Sequence, residues 1–104
     1  MNTVHMLGRL TAPPDFRMTP NNEAVCRFRI AVPRTKEKSD FFNIVAWDKI
    51  AETVSRYFTQ GDRILVEGGL RNADYEDKNG VKHYAYEIIA NRIEFIELKN
   101  REEN

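Results

Sequence analysis

Apolar and polar positions alternate most regularly in "AVCRFRIAV", where Ala24, Cys26, Phe28, Ile30 and Val32 fall on one side and Arg27 and Arg29 on the other. A period of two belongs to a β-strand with one face on a core. "TVHMLGRL" reads as an earlier strand whose internal glycine marks a bulge or bend. "DFFNIVAW" reads as a later one, with Phe42, Ile44 and Ala46 on one face and Phe41, Asn43, Val45 and Trp47 on the other. "RILVEGGLR" and "IIANRIEFIEL" complete the strands, and the paired glycines of the former predict a sharp bend or a close backbone approach. The period changes only in "DKIAETVSRYFTQGD", where Ile50, Val54, Tyr57 and Phe58 recur at helical spacing. Asp48 is placed to cap that helix and Gly61 to end it. "TAPPDFRMTPNNE" is rich in Pro, Asn and Thr and is predicted to be connection and turn, "PRTKEKS" a polar loop, and Asn79-Gly80 a hairpin tip between tyrosine-bearing flanks.

The predicted order is three strands, a helix and two strands, the last two joined by an extended hairpin. That is the order of an oligonucleotide-binding (OB) fold, a mainly β, five-stranded Greek-key barrel with one helix between strands three and four. An unrelated five-stranded α+β sheet has the same order, and strand order alone does not separate the two. Residues 1–99 are expected to form one domain and residues 100–104 a short flexible tail.

The strand "DFFNIVAW" poses a question of faces. Phe42, Ile44 and Ala46 make a wholly apolar side, whereas Asn43 interrupts the other and resists burial unless its amide is fully hydrogen-bonded. Phe42, Ile44 and Ala46 are therefore expected inside, and Phe41, Asn43, Val45 and Trp47 outside. Outward aromatics at Phe41 and Trp47 would lie ~20 Å apart along the strand, far enough to hold different bases of an extended single strand. Stacking on an aromatic is indifferent to sequence because every base has a flat face. Arg34 and Lys36 in the preceding loop and Lys49 just after the strand are candidates for phosphate contact. Tyr75, in the hairpin that leaves "EGGLRNADYED", is a third candidate platform beside Arg71.

Charge neither requires nor forbids such a ligand. The 104 residues carry 16 Lys/Arg and 16 Asp/Glu, a formal net charge of zero, but residues 1–38 hold seven basic against three acidic groups. Distribution outweighs the sum. His5 and His83 lie on separate strand segments without Cys or carboxylates at ligand spacing, so no metal site is expected. No phosphate-binding glycine loop and no nucleophile turn occurs, so neither an enzyme nor a cofactor is expected. The lone Cys26 shares the apolar face of its strand and is expected to be a small buried hydrophobe. No apolar run approaches a membrane span and the start lacks an export signal, which points to an intracellular protein with no membrane partner.

The pieces "VHMLGRLTAPPDFRMTPNNEAVCRFRIAV" and "DFFNIVAWDKIAETVSRYFTQGDRILVEGGLRNADYED" together resemble the OB domain of bacterial single-stranded DNA-binding proteins. The resemblance covers nearly the whole chain. It implies sequence-independent coating of single-stranded DNA in replication, recombination or repair, with the strand wrapped over Phe41, Trp47 and Tyr75. It also implies a homotetramer built as a dimer of dimers, in which the first strand (Val4, His5, Met6, Leu7, Arg9) meets a neighbouring subunit and Phe42 lies near subunit contacts.

Three features depart from the family pattern. The loop between the second and third strands is short, with Lys36 where an aromatic is expected. Phe42 stands where a polar or smaller residue is common. The flexible tail with an acidic tip that recruits replication enzymes has no counterpart in "LKNREEN", which speaks against recruitment of that kind and fits either a short paralogue or a shortened chain. Two competing readings remain. One is an OB-fold protein-interaction module of a primosome-like assembly, which would tolerate loss of Phe41 and Trp47. The other is an RNA-binding cold-shock-like barrel, disfavoured because those proteins are smaller and lack this helix.

Overall fold

The computed structural model describes residues 1–97, so the predicted tail at 100–104 lies outside the described residues. The described elements are β1 (Val4–Leu10), β2 (Asp15–Met18), β3 (Ala24–Pro33), β4 (Ser39–Trp47), α1 (Asp48–Tyr57), β5 (Arg63–Asn72), β6 (Tyr75–Glu76), β7 (Lys82–His83) and β8 (Tyr86–Glu97). β3 pairs with β4, β4 runs parallel to β8, β8 pairs with β5 and β5 with β1. The circuit closes where β1 returns to β3 through Arg9↔Ala31 and Leu10↔Ile30. This is a closed five-stranded barrel with one helix between its third and fourth strands, the OB architecture, and the unrelated open α+β sheet is excluded by the β1–β3 closure.

Closure depends on two glycines. At Gly8 a Cβ would sit 2.6 Å from the carbonyl oxygen of Ala31, which is where β1 bends across β3. At Gly68 a Cβ would overlap the carbonyl oxygen of Ile89, beside a register shift between Glu67 and Gly68 that bends β5 over β8. The close approach expected of the β5 glycines is thus present.

The core follows the alternation. Cys26, Phe28 and Ile30 of β3, Ile44 and Ala46 of β4, Ile64 and Val66 of β5 and Ile88 of β8 are buried together, and Val54 and Ala51 of α1 close one end. Burial pushes the Cys26 thiol up to about 11, aided by the nearby charge of Asp15, so it is the inert hydrophobe expected. Phe58 stacks on Phe95 with ring centroids 3.9 Å apart, which ties the end of the helix to β8.

Four expectations need correction. Asp15–Met18, read as connection, is a strand paired along β3 from Asp15↔Arg27 to Met18↔Ala24; its four residues are all exposed, Phe16 and Met18 included. Asp48 does not cap α1: Trp47 holds the cap position in extended geometry without a side-chain bond, and Asp48 is the first helical residue, at φ 55°. Gly61 does not end the helix either. α1 stops at Tyr57, the Phe58 N–H donates to the Val54 carbonyl, and Gly61 turns the chain afterwards at φ 92° while its N–H reaches Leu10 O. On the helix, Ala51 takes the buried position and Tyr57 faces outward. The predicted hairpin tip is present: Asp77 and Val81 are bridged, and Gly80 adopts φ 79°.

Candidate nucleic-acid interface

The outer face of the β3–β4 ribbon is set by register. Ala31 lies opposite Phe41, Arg29 opposite Asn43, Arg27 opposite Val45 and Val25 opposite Trp47. Side chains of directly paired residues share a face, so two arginines of β3 interleave with two aromatics of β4. Phe41 is 50% exposed and Asn43 is exposed, as the polar interruption predicts, while Trp47 is half-buried.

Val45 is the exception on this face. It was expected outside, yet it is only 1% exposed. β4 is flanked there on both sides, by Arg27 of β3 and by Ile89 of β8. Above it, Arg27 Nη1 reaches Glu87 Oε2 at 3.3 Å, and Glu87 Oε1 accepts a 2.6 Å bond from Arg71 Nη2. Long side chains from three strands roof a residue that periodicity alone leaves in solvent. Glu87 itself is almost buried, so its two guanidinium partners supply the hydrogen bonds that a buried carboxylate requires.

The ribbon borders a depression of ≈ 350 Å³ whose lining includes Thr11, Pro13, Arg27, Arg29, Asn43 and Glu87. Polar donors surround an apolar floor. Arg29 projects its guanidinium over the ring of Phe41, 4.5 Å from the centroid.

The remaining predicted residues are dispersed. Arg34 bonds Asp40 at 3.1 Å, so its charge is partly matched within the loop that also carries the exposed Lys36. Lys49 lies on the first turn of α1, where it lines a shallow groove with Glu52, Thr53, Arg56 and Tyr57 rather than the β3–β4 face. Arg71 reaches the face through Glu87. Tyr75 is 57% exposed on the separate β6–β7 hairpin. Arg27 and Arg29 are not among the candidate contact residues that the sequence singles out. Their position on the side opposite the buried residues of β3 was legible, but the β3–β4 register is needed to set Arg29 against Phe41. Among the described residues no group of three or more metal-ligating side chains occurs, and no helix is long and apolar enough to cross a membrane.

The expected interface residues divide between faces of β1. Val4 and Met6 are partly buried and pack on the core, whereas His5 and Leu7 turn outward, His5 lying 3.6 Å from Glu67. Arg9 Nη1 donates to the Gly61 carbonyl at 2.9 Å. Phe42 is partly buried against the core and, with Leu70 and Tyr86, lines a separate cleft where β4 and β8 part.

A closed OB barrel with an arginine-and-aromatic ribbon on its outer face defines the class. Comparison with known proteins then defines the family: residues 1–96 match the model of the single-strand binding protein family. The chain belongs to that family. It is 40% identical to the single-stranded DNA-binding protein of Bacillus cereus over 96% of its own length, and spans 62% of that relative. It is 39% identical to single-stranded DNA-binding protein 2 of Streptococcus agalactiae, covering 96% of this chain and 80% of that one. Identity to single-stranded DNA-binding protein 1 of Staphylococcus aureus is 36%, over 100% and 70% of the two chains.

Proposed function

We propose that this domain binds and coats single-stranded DNA without regard to sequence, in replication, recombination or repair, and performs no catalysis. The observation that carries the reading is the ribbon of Phe41, Arg29, Asn43, Arg27 and Trp47 on one exposed barrel face. Flat rings stack on bases, guanidinium groups donate hydrogen bonds to phosphate oxygens, and neither selects a base. Family membership and the names of the relatives support the same ligand. Such a ligand places the protein in the cytoplasm, at the nucleoid.

Assembly into a homotetramer, a dimer of dimers, belongs to the same proposal. Val4–Leu7 pairs with β5 on one side, while the β1–β3 pairing starts only at Arg9, so among the described residues the other edge of that segment carries no barrel strand. An exposed edge of this kind is a template for a second copy. Several linked copies supply the multivalency that one net-neutral domain lacks. The test of DNA binding is a titration of Trp47 fluorescence with oligo-dT at several salt concentrations. Saturable quenching that weakens with salt is expected, and no change in signal together with no retention of labelled oligo-dT would overturn the reading.

A further inference from the structure

Tyr75 and His83 are directly paired across β6 and β7. Their rings stack, with centroids 4.8 Å apart and planes 11° from parallel. One face of the phenol is therefore occupied by the imidazole. The imidazole is held in turn: His83 Nε2 lies 2.9 Å from Asp77 Oδ2. The other oxygen of Asp77 accepts the N–H groups of Asn79 and Val81, each at 2.9 Å, so the carboxylate is fixed by the backbone of the turn. A chain of contacts thus runs from the turn, through Asp77 and His83, to the ring of Tyr75. The other charged groups of the hairpin are Glu76 and Lys82, paired with each other in register, Lys78 in the turn, and Asp74 at its base, which accepts the Ala85 N–H.

An exposed tyrosine on a two-residue strand loses rotamer freedom when a ligand immobilises it, and a residue that fixes the ring beforehand removes part of that loss. We propose that His83 is a positioning residue for a Tyr75 stacking platform: anchored on Asp77, it covers one face of the phenol and holds the opposite face ready for a base. The proposal rests on the reading of Tyr75 as a DNA-stacking residue.

The test is binding of fluorescein-labelled oligo-dT to the full chain, followed by anisotropy at one salt concentration and neutral pH. Tyr75→Ala weakens binding about tenfold or more. His83→Val, which suits a strand but offers no flat ring, weakens it by a smaller factor, about threefold. His83→Phe, which restores a ring, binds within about twofold of wild type. The double variant Tyr75→Ala/His83→Val binds no more weakly than Tyr75→Ala alone, because His83 acts only through Tyr75. Asp77→Asn is a second probe that retains an acceptor for the turn; it weakens binding slightly and adds nothing to Tyr75→Ala.

Wild-type affinity in His83→Val beside a weakened Tyr75→Ala overturns the positioning role and leaves the stacking role intact. Full additivity of either second change with Tyr75→Ala overturns it as well, since the residue would then meet DNA on its own. His83→Phe as weak as His83→Val removes ring stacking as the cause. Wild-type affinity in Tyr75→Ala removes both the platform and the proposal built on it.

Discussion

The guanidinium of Arg29 covers one face of the Phe41 ring at 4.5 Å, so the outermost aromatic of the β3–β4 ribbon carries a cation before any ligand arrives. Under the proposed function, an incoming base would meet the face of Phe41 that Arg29 leaves open. Phe41→Ala is expected to weaken single-stranded DNA binding by ~1–3 kcal/mol with no loss of thermal stability, since the ring is half exposed. Trp47→Ala is expected to weaken binding by a similar amount and also to lower the melting temperature, because Trp47 is half-buried opposite Val25. Anisotropy with labelled oligo-dT and circular dichroism melting check both. Full affinity in Phe41→Ala would remove it from the interface.

Val45 separates the two roles that β4 combines. Val45→Ala removes two buried carbon groups beneath the Arg27–Glu87 contact and is expected to cost ~2 kcal/mol of stability, read as a shift of the urea midpoint. Binding at temperatures where the variant remains folded should change little, as Val45 offers no exposed surface. A stability equal to wild type would mean that the roof over Val45 is open in solution.

How far the sequence carries can be judged on these same strands. The alternation of β3 and the apolar side of β4 are local properties, and they placed Phe28, Ile30, Ile44 and Ala46 in the core. Val45 was misplaced because its cover comes from Arg27, Arg71 and Glu87, brought together by pairings between distant segments. β2 was missed because its alternation, Asp15, Phe16, Arg17, Met18, lasts only four residues and lies between turn-forming Pro, Thr and Asn residues. The start of α1 was misread because Asp48 enters the helix at positive φ, which an aspartate tolerates but a sequence pattern does not announce. Phe41 and Asn43 were legible for the opposite reason: a single amide on an otherwise apolar face showed which side meets water.

Salt dependence tests the basic residues separately. Affinity is expected to fall with added salt, with a log–log slope of about −0.7 per phosphate neutralised on a single strand. Replacing Lys36 and Lys49 with Ala together is expected to make the slope shallower. The single variants apportion the change, and Lys49, on the outer surface of α1, is expected to contribute less than Lys36. An unchanged slope in the double variant would exclude both from the footprint.

Acid should release the β6–β7 turn only below the range in which ordinary carboxylates protonate. The bond from His83, followed by the N–H groups of Val81 and Asn79, holds the Asp77 carboxyl below the usual carboxylate range. A depressed carboxyl contributes stability above its ordinary pKa, about 3.9, and loses it as pH falls through the lower folded value. Amide signals of Asn79, Gly80 and Val81, followed by NMR from about pH 6 to about pH 2, should therefore shift together in that acid window. Asp77→Asn should abolish the transition, and an identical transition in that variant would assign it elsewhere.

Assembly is tested at the outer surface of β1. Sedimentation equilibrium at micromolar concentration is expected to give a homo-oligomer, and His5→Asp with Leu7→Asp to dissociate it, since both side chains face outward. The dissociated protein is expected to bind long oligo-dT more weakly than wild type. A wild-type monomer, or a monomeric variant with undiminished affinity, would refute the link between assembly and binding.

The pairing of Val4 with Gly68 has a consequence for how the chain is made. The two residues stand about 64 positions apart, and at a synthesis rate of ~5–20 residues per second the ribosome delivers the second ~3–13 s after the first. Throughout that interval the first strand exists without its main neighbour, and closure must wait for the far half of the chain. Neighbouring ribosomes on one message therefore present several copies of the same unpaired strand at once. Its outward His5 and Arg9, polar groups set between apolar ones, keep those nascent copies wettable until the barrel closes.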